Sequence, residues 1–129
     1  MSERASIIIN CSRVESDLIH QQAQLQRRSI SGYVLRIVLA SVELDENLLP
    51  GLSRLPLHRL APYEPIRVAG PRTTFLLRCS REESDRIRAA AKRRDITLSL
   101  FVLHGLRRTW KVQKEVGRLH PEFPAELKL

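Results

Sequence analysis

The sequence contains few aromatic residues, only two cysteines and no long hydrophobic run. Phe, Trp and Tyr make up 5% of the residues, which argues against a broad platform for stacking single-stranded nucleic acid. No apolar run approaches the roughly 20 residues that a membrane-spanning helix needs. The first ten residues, M-S-E-R-A-S-I-I-I-N, lack a cleavable signal pattern. We therefore expect a cytoplasmic protein with no membrane partner.

Motifs for catalysis and metal binding are also missing. There is no Gly-rich phosphate loop, nucleophile elbow or H-E-x-x-H, so we expect neither enzyme activity nor a cofactor. The four histidines are scattered and C-x-x-C does not occur, which predicts no metal site. Asp17 and Asp85 fall where first turns of helices are expected, and there acids favour the helix dipole without acting as general acids or bases. Without an export signal, Cys11 and Cys79 are expected to be buried thiols, with a disulfide as the alternative.

The charge is strongly basic and unevenly spread. The formal net charge is +8, and residues 73–129 contribute +6 of it through thirteen Lys and Arg against seven Asp and Glu. Residues 1–47 contribute −1, with five basic against six acidic residues. A basic surface favours a polyanionic partner, with nucleic acid before an anionic membrane. The alternative is that the excess charge only keeps the protein soluble.

What the sequence does contain is an internal duplication. Cys11-Ser12-Arg13 matches Cys79-Ser80-Arg81 at an offset of 68 residues. One copy is about forty residues, a size at which a chain rarely folds alone, so each copy is expected to need the other. At the same offset, without gaps, identical pairs include Glu15/Glu83, Ser16/Ser84, Asp17/Asp85, Ile19/Ile87, Ala23/Ala91, Ser31/Ser99, Val34/Val102 and Leu35/Leu103.

Each copy is predicted to form a strand, a helix, a tight turn and a second helix. In the first copy the strand covers 6–11, the helix follows an S-x-x-E capping box at Ser12 and ends near residue 26, and Ser29 caps a helix over 30–45. In the second copy the strand covers 73–79, the first helix ends near residue 94, and Thr97 caps a helix that ends near residue 116. The residues expected on the inward face of the first helix are Val14, Leu18, Ile19 and Ala23.

The duplication divides the chain into four parts. Residues 1–46 and 73–116 are the two copies, residues 47–72 are a linker and residues 117–129 are a tail. The linker holds five of the seven prolines together with several leucines, which predicts a semi-rigid strap lying on the helices. The tail, with two prolines, is expected to run extended.

The layout of each copy, with the turns Ser29-Ile30-Ser31 and Thr97-Leu98-Ser99, resembles the ribbon-helix-helix family, typified by the Arc and MetJ repressors. In that family two copies interlock, their strands pair antiparallel into a ribbon, and four helices make the core. The resemblance implies a mainly α fold with a two-stranded antiparallel ribbon, in which tandem copies form an intramolecular pseudo-dimer. Pairing between separate chains and higher assembly remain open. The family often has Gly before the second cap, where φ is positive, and here Arg27 and Asp95 take that place.

The resemblance also implies which residues meet double-stranded DNA. A β-ribbon fits the major groove, and strand alternation gives one apolar face and one outer face. On the outer face Arg78 suits guanine O6 and N7, and Asn10 suits adenine N6 and N7. The alternative is that this face is merely exposed, or is covered by protein. The six residues predicted to read bases are Ser6, Ile8, Asn10, Thr74, Leu76 and Arg78.

Phosphate contacts are predicted at the starts of the second helices, where free N–H groups and the helix dipole favour anions. Ser29, Ser31, Thr97 and Ser99 are the predicted phosphate-binding residues, and simple capping is the alternative. The second copy adds a basic run that is predicted to be a solvated face. Because the first copy lacks this run, either a DNA site is held more strongly on the second-copy side or the first copy faces a protein. The run comprises Arg86, Arg88, Lys92, Arg93 and Arg94.

These patterns predict a sequence-specific, double-stranded-DNA-binding transcriptional regulator, acting as a repressor. The alternative is an antitoxin-like or adaptor module in which residues 111–129 bind a toxin-like partner protein. Spaced apolar residues in that segment fit this alternative: Val112, Val116, Leu119, Phe123 and Leu127.

Overall fold

The structure, a computed structural model, describes residues 3–48 and 70–119. Within these two ranges the chain forms four helices and one two-stranded antiparallel sheet, which confirms the predicted mainly helical fold with a ribbon. The elements in chain order are β1 (Arg4–Ser12), α1 (Arg13–Leu25), α2 (Ile30–Leu48), β2 (Arg72–Ser80), α3 (Arg81–Arg93) and α4 (Leu98–Leu119).

Some predicted boundaries were wrong by a few residues. Helix α2 continues through residue 48, two residues into the predicted linker, and α4 continues through residue 119, into the predicted extended tail. Strand β2 begins at Arg72, the last residue assigned to the linker. The predicted strap at residues 49–69 and the tail residues 120–129 lie outside the described residues.

The two strands pair within the chain around the equivalent residues Ile8 and Leu76, which lie directly opposite each other. Side chains alternate across the ribbon, so one face is buried and the other is exposed. The inner face joins the core through Ile7, Ile9, Cys11, Leu77 and Cys79, all at most 3% exposed, with Phe75 partly buried.

Both cysteines are buried free thiols, as predicted. The register puts Cys11 opposite Thr73 and Cys79 opposite Ala5, so the two thiols lie towards opposite ends of the ribbon. Burial raises the pKa of both thiols, which keeps them in the protonated, unreactive form. They therefore behave as small apolar core residues.

The helices start in the same way in both copies. Ser12 accepts a hydrogen bond from the backbone N–H of Glu15 and the Glu15 side chain accepts one from the Ser12 N–H, and Ser80 and Glu83 form the matching box. The predicted capping boxes are therefore confirmed. Each helix start is also bonded to the residue just before the strand of the other copy, because the N–H of Arg13 donates to the Pro71 carbonyl and the N–H of Arg81 donates to the Glu3 carbonyl.

The core collects apolar side chains from both strands and all four helices. Leu18, Ile19 and Ala23 are buried as predicted, but Val14 is 57% exposed. The prediction for Val14 was wrong because Glu15, only 4% exposed, takes the inward position in the first turn of α1. Its carboxylate there accepts a 2.8 Å hydrogen bond from Arg107 Nε of α4, a partner that the local pattern does not reveal.

Glu15 is held in its charged form by this partner. Burial alone raises the pKa of its carboxyl group, but the hydrogen bonds from Arg107 and Ser12 outweigh burial, and the net pKa lies below the ordinary value of 4.5. A depressed pKa stabilises the fold above the unfolded-state pKa, and this contribution is lost as the pH falls through the folded-state pKa. The ion pair is therefore intact at neutral pH.

The turns after α1 and α3 use a left-handed residue, as the motif predicted. Arg27 has φ 54° and Asp95 has φ 56°. The N–H of the residue after each, Arg28 and Ile96, donates to the carbonyl of Ala23 and Ala91 respectively, which closes the Schellman arrangement of helix ends. Asp tolerates this conformation fairly well, whereas for Arg27 it costs about 1–2 kcal/mol.

Three arginines of the basic run form ion pairs with α2, and the prediction of a solvated face was wrong for Arg94, which is buried. Asp45 of α2 accepts bonds from Arg93 and Arg94, with N–O distances of 2.8–3.0 Å, and Glu46 pairs with Arg86. Only the two remaining members of the run, Arg88 and Lys92, are classed as exposed. The reason is that the last turns of α2 bring two acids against α3, which is a tertiary contact.

Candidate functional site

The outer face of the ribbon carries all six residues that were predicted to read bases, and all six are exposed. The register sets Ser6 opposite Arg78, Ile8 opposite Leu76 and Asn10 opposite Thr74. Two polar pairs therefore flank one central apolar pair, in which Ile8 is 62% and Leu76 is 48% exposed. The exposure is an observation, whereas base reading remains a prediction.

Two arginines extend this face beyond the predicted strands. Arg4 lies opposite Ser80 and Arg72 lies opposite Ser12, at the two ends of the ribbon. Both arginines are exposed and share the strand parity of the outer-face residues. Sequence reasoning missed them because the strands were started at residues 6 and 73. A signal was present, since Arg4 and Arg72 are an identical pair at the offset of 68 residues.

Two serine hydroxyls, one at the start of α2 and one at the start of α4, form hydrogen bonds with the ribbon backbone. Ser31 Oγ accepts a 2.9 Å hydrogen bond from the Arg78 N–H and donates to the Leu76 carbonyl. Ser99 Oγ accepts a 2.9 Å bond from the Asn10 N–H. Edge N–H groups of a two-stranded ribbon lack a strand partner, and the serines supply the acceptor.

This arrangement gives Ser31 and Ser99 a structural role that the sequence analysis did not foresee. Both had been assigned to phosphate, but their hydroxyls are already engaged with the ribbon backbone. Phosphate binding by these two hydroxyls stays a prediction beside this anchoring. The observed hydrogen bonds fix the backbone of the two longest polar side chains in the inner part of the outer face, Arg78 and Asn10.

Ser29 and Thr97 cap α2 and α4. Ser29 Oγ accepts a bond from the Gly32 N–H at 3.0 Å, and Thr97 Oγ1 accepts one from the Leu100 N–H at 3.1 Å. Beside α2 a shallow groove of about 600 Å³ runs from this cap to the ribbon and includes Arg4 and Arg78 in its wall. The positive end of the helix therefore lies next to two guanidinium groups, which suits an anion.

Removing either anchoring hydroxyl should loosen one end of the ribbon only. In Ser31→Ala we expect the Arg78 amide to exchange with solvent roughly fivefold faster, because about 1 kcal/mol of hydrogen bonding is lost there. In Ser99→Ala the same change is expected at the Asn10 amide. Amide hydrogen exchange measured by NMR checks this, and each variant serves as the control for the other. Equal exchange at both amides in both variants would contradict the assignment.

The arrangement brings charged and hydrogen-bonding groups together on one exposed face. Across residues 3–48 and 70–119, no three His, Cys, Asp or Glu side chains come together as metal ligands would. None of the helices in the same ranges is long and apolar enough to cross a membrane. The ribbon face with its flanking helix starts is therefore the best-defined candidate site.

Comparison with known proteins adds no relative. No protein-family model, no curated protein and no solved structure matches the chain. The likeness to the ribbon-helix-helix family consequently depends on the motifs and contacts described above.

Proposed function

We propose that the chain is a sequence-specific, double-stranded-DNA-binding regulator, acting as a repressor, in which two fused ribbon-helix-helix copies form a pseudo-dimer. The observation that carries the proposal is the exposed outer face of an antiparallel ribbon whose register is centred on the equivalent residues Ile8 and Leu76. A two-stranded ribbon of this kind fits the major groove of B-DNA, which is about 12 Å wide.

Each outer-face pair has a role in this proposal. Arg78 donates to guanine O6 and N7, and Asn10 makes a bidentate pair with adenine. Ser6 and Thr74 lie directly across from these readers and bond to either kind of base edge. The central aliphatic pair contacts thymine methyl groups. The most exposed apolar side chains of the ribbon therefore contribute to sequence specificity.

Phosphates are held at the edges of the same face. The starts of α2 and α4, capped by Ser29 and Thr97, present helix dipoles to the flanking backbone. Arg4 and Arg72 add charge at the ribbon ends. Such contacts position the protein without reading sequence, and they make the affinity fall as salt rises.

A substitution of Arg78 tests base reading. In Arg78→Ala we expect the preference for one base pair to relax by about 1–3 kcal/mol, because a bidentate contact is lost. Lys92→Ala is the matched control, since it removes an exposed positive charge from α3 and should leave base preference unchanged. Random-site selection followed by binding titrations at several salt concentrations measures both. If the intact protein shows no preference among duplexes, specific regulation is excluded.

A second function is favoured by exposed apolar side chains on α4. Val112 is 57% and Val116 is 42% exposed, and both lie in the segment 111–129 assigned to a toxin-like partner. An antitoxin-like or adaptor protein would use this surface. Residues 120–129 lie outside the described part of the chain. A pull-down with and without residues 117–129 separates the functions, because a stoichiometric partner combined with no DNA affinity would replace the first proposal.

A further inference from the structure

The two ends of the outer ribbon face have matched backbones but different side chains. Asn10 and Arg78 are equivalent at the offset of 68 residues, and each lies two residues beyond the central pair. Each N–H is bonded to the equivalent serine hydroxyl at the same distance, 2.9 Å. The two positions are thus alike in register and in backbone hydrogen bonding, and they differ only in the side chain that faces the DNA bases.

Different readers require different bases. An arginine has donors only and matches the two acceptors of guanine, whereas an asparagine amide donates and accepts and matches adenine. The hydroxyl residues across the ribbon, Ser6 opposite Arg78 and Thr74 opposite Asn10, bond to either base type and do not reverse this difference. The central pair is aliphatic on both strands.

We propose that the chain recognises a hybrid operator, with guanine at one position and adenine at its two-fold equivalent, and binds it in one orientation. The inference rests on the proposed function and deepens it. Two separate, identical chains would present the same reader twice and select a palindrome. A fused chain presents one arginine and one asparagine at matched positions, so its preferred site lacks two-fold symmetry at the base pairs that these two side chains contact.

Charge near the two ends supports a fixed orientation. Four arginines are found at the Arg78 end, on the ribbon and in the turn that precedes α2, and their equivalents at the Asn10 end carry one positive and one negative charge. The four are Arg4, Arg27, Arg28 and Arg78, and the equivalents are Arg72, Asp95, Ile96 and Asn10.

Two further observations strengthen this difference. An arginine, Arg27, occupies a left-handed position that glycine would occupy without strain. The expectation that the second copy grips DNA through its basic α3 run is weakened, because three of those arginines are paired with Asp45 and Glu46. The guanine half-site therefore lies beside the start of α2, and the adenine half-site lies beside the start of α4, where Arg88 and Lys92 of the basic run stay exposed.

Reader-exchange variants of the full chain test the proposal. Random-site selection with the wild-type protein defines the site, and duplexes are then made with guanine in both half-sites, adenine in both, or one of each. We expect the wild type to prefer the hybrid by about tenfold. Asn10→Arg should prefer the double-guanine duplex, and Arg78→Asn should prefer the double-adenine duplex. Both positions are exposed, so the fold should survive.

The double variant Asn10→Arg/Arg78→Asn is the control that keeps composition constant. It should again prefer the hybrid duplex. The asparagine at position 78, and not the arginine at position 10, then lies at the same end of the ribbon as the charged turn before α2. A wild-type preference for either palindrome, or variants that all select the wild-type site, would overturn the hybrid operator and leave specific DNA binding intact. No preference by the wild type among any duplexes would remove the proposed function itself.

Discussion

Asp45→Asn is expected to destabilise the protein by about 3–5 kcal/mol, because it removes the buried carboxylate charge that pairs with two guanidinium groups. Asp45 is 3% exposed and its two oxygens are divided between Arg93 and Arg94. The Arg94 side chain is only 9% exposed, so water replaces little of the lost interaction. Most small domains have only about 5–15 kcal/mol of stability, so the loss is a large fraction of the total.

Urea unfolding followed by circular dichroism measures this change, and the neighbouring residue gives a matched control. Glu46 forms an ion pair with Arg86 in which both side chains are about 40% exposed (39% and 41%). Glu46→Gln should therefore destabilise the protein much less than Asp45→Asn does, because solvent screens the pair. Equal losses of unfolding free energy in Asp45→Asn and Glu46→Gln would contradict the expectation that burial makes the Asp45 ion pairs the more stabilising.

Replacing the whole cluster distinguishes lost charge pairing from lost packing. The variant Asp45→Leu/Arg93→Met/Arg94→Met removes all three charges and keeps similar side-chain volume. Buried ion clusters exchanged in this way are often neutral or stabilising, so we expect stability near that of the wild type. A triple variant as unstable as Asp45→Asn would assign the effect to packing instead.

Separating the two copies is expected to abolish cooperative unfolding in each. Residues 1–69 contain β1 and residues 70–129 contain β2, and each strand has its partner in the other fragment. The two fragments also share one core, because apolar side chains from both strands and all four helices pack together. Circular dichroism should show little cooperative melting for either fragment alone and recovery on equimolar mixing. A single fragment that melts cooperatively as a monomer would contradict this expectation.

Charge placement should make the mixed fragments form a heterodimer. If two first copies paired, Leu25 and Gln26 would stand where Arg93 and Arg94 now meet Asp45. If two second copies paired, Gln113 would stand in place of the aspartate. Either homodimer therefore lacks the ion pairs that Asp45 forms with Arg93 and Arg94, which disfavours it.

The buried ion pair between Glu15 and Arg107 also favours the heterodimer over a pair of first copies. In a pair of first copies, Leu39 would replace the arginine and leave the Glu15 carboxylate without its partner. Native mass spectrometry of the mixture measures the choice directly. Homodimers as abundant as heterodimers would show that these charges do not select the partner.

Much of the ribbon could be predicted because it depends on short-range signals. Ser12 with Glu15 and Ser80 with Glu83 form boxes that involve only neighbouring residues, and strand alternation separates Ile7 from Ile8. The candidate site was predictable to the same extent, since all six outer-face residues follow from that alternation. Arg4 and Arg72 were missed only because strand ends are poorly marked by local pattern.

The amino-acid sequence by itself determined the duplicated order of strands and helices, their caps and the inward and outward faces of the ribbon. Each of these follows from contacts within a few residues or from periodicity. The tertiary structure alone decided that Ser31 and Ser99 hold the ribbon backbone and that Asp45 pairs with Arg93 and Arg94 at the end of α3. It also placed Glu15 inward and Val14 outward. These outcomes depend on partners 45 or more residues away in the chain. No local sequence pattern specifies which distant side chain the fold brings into contact.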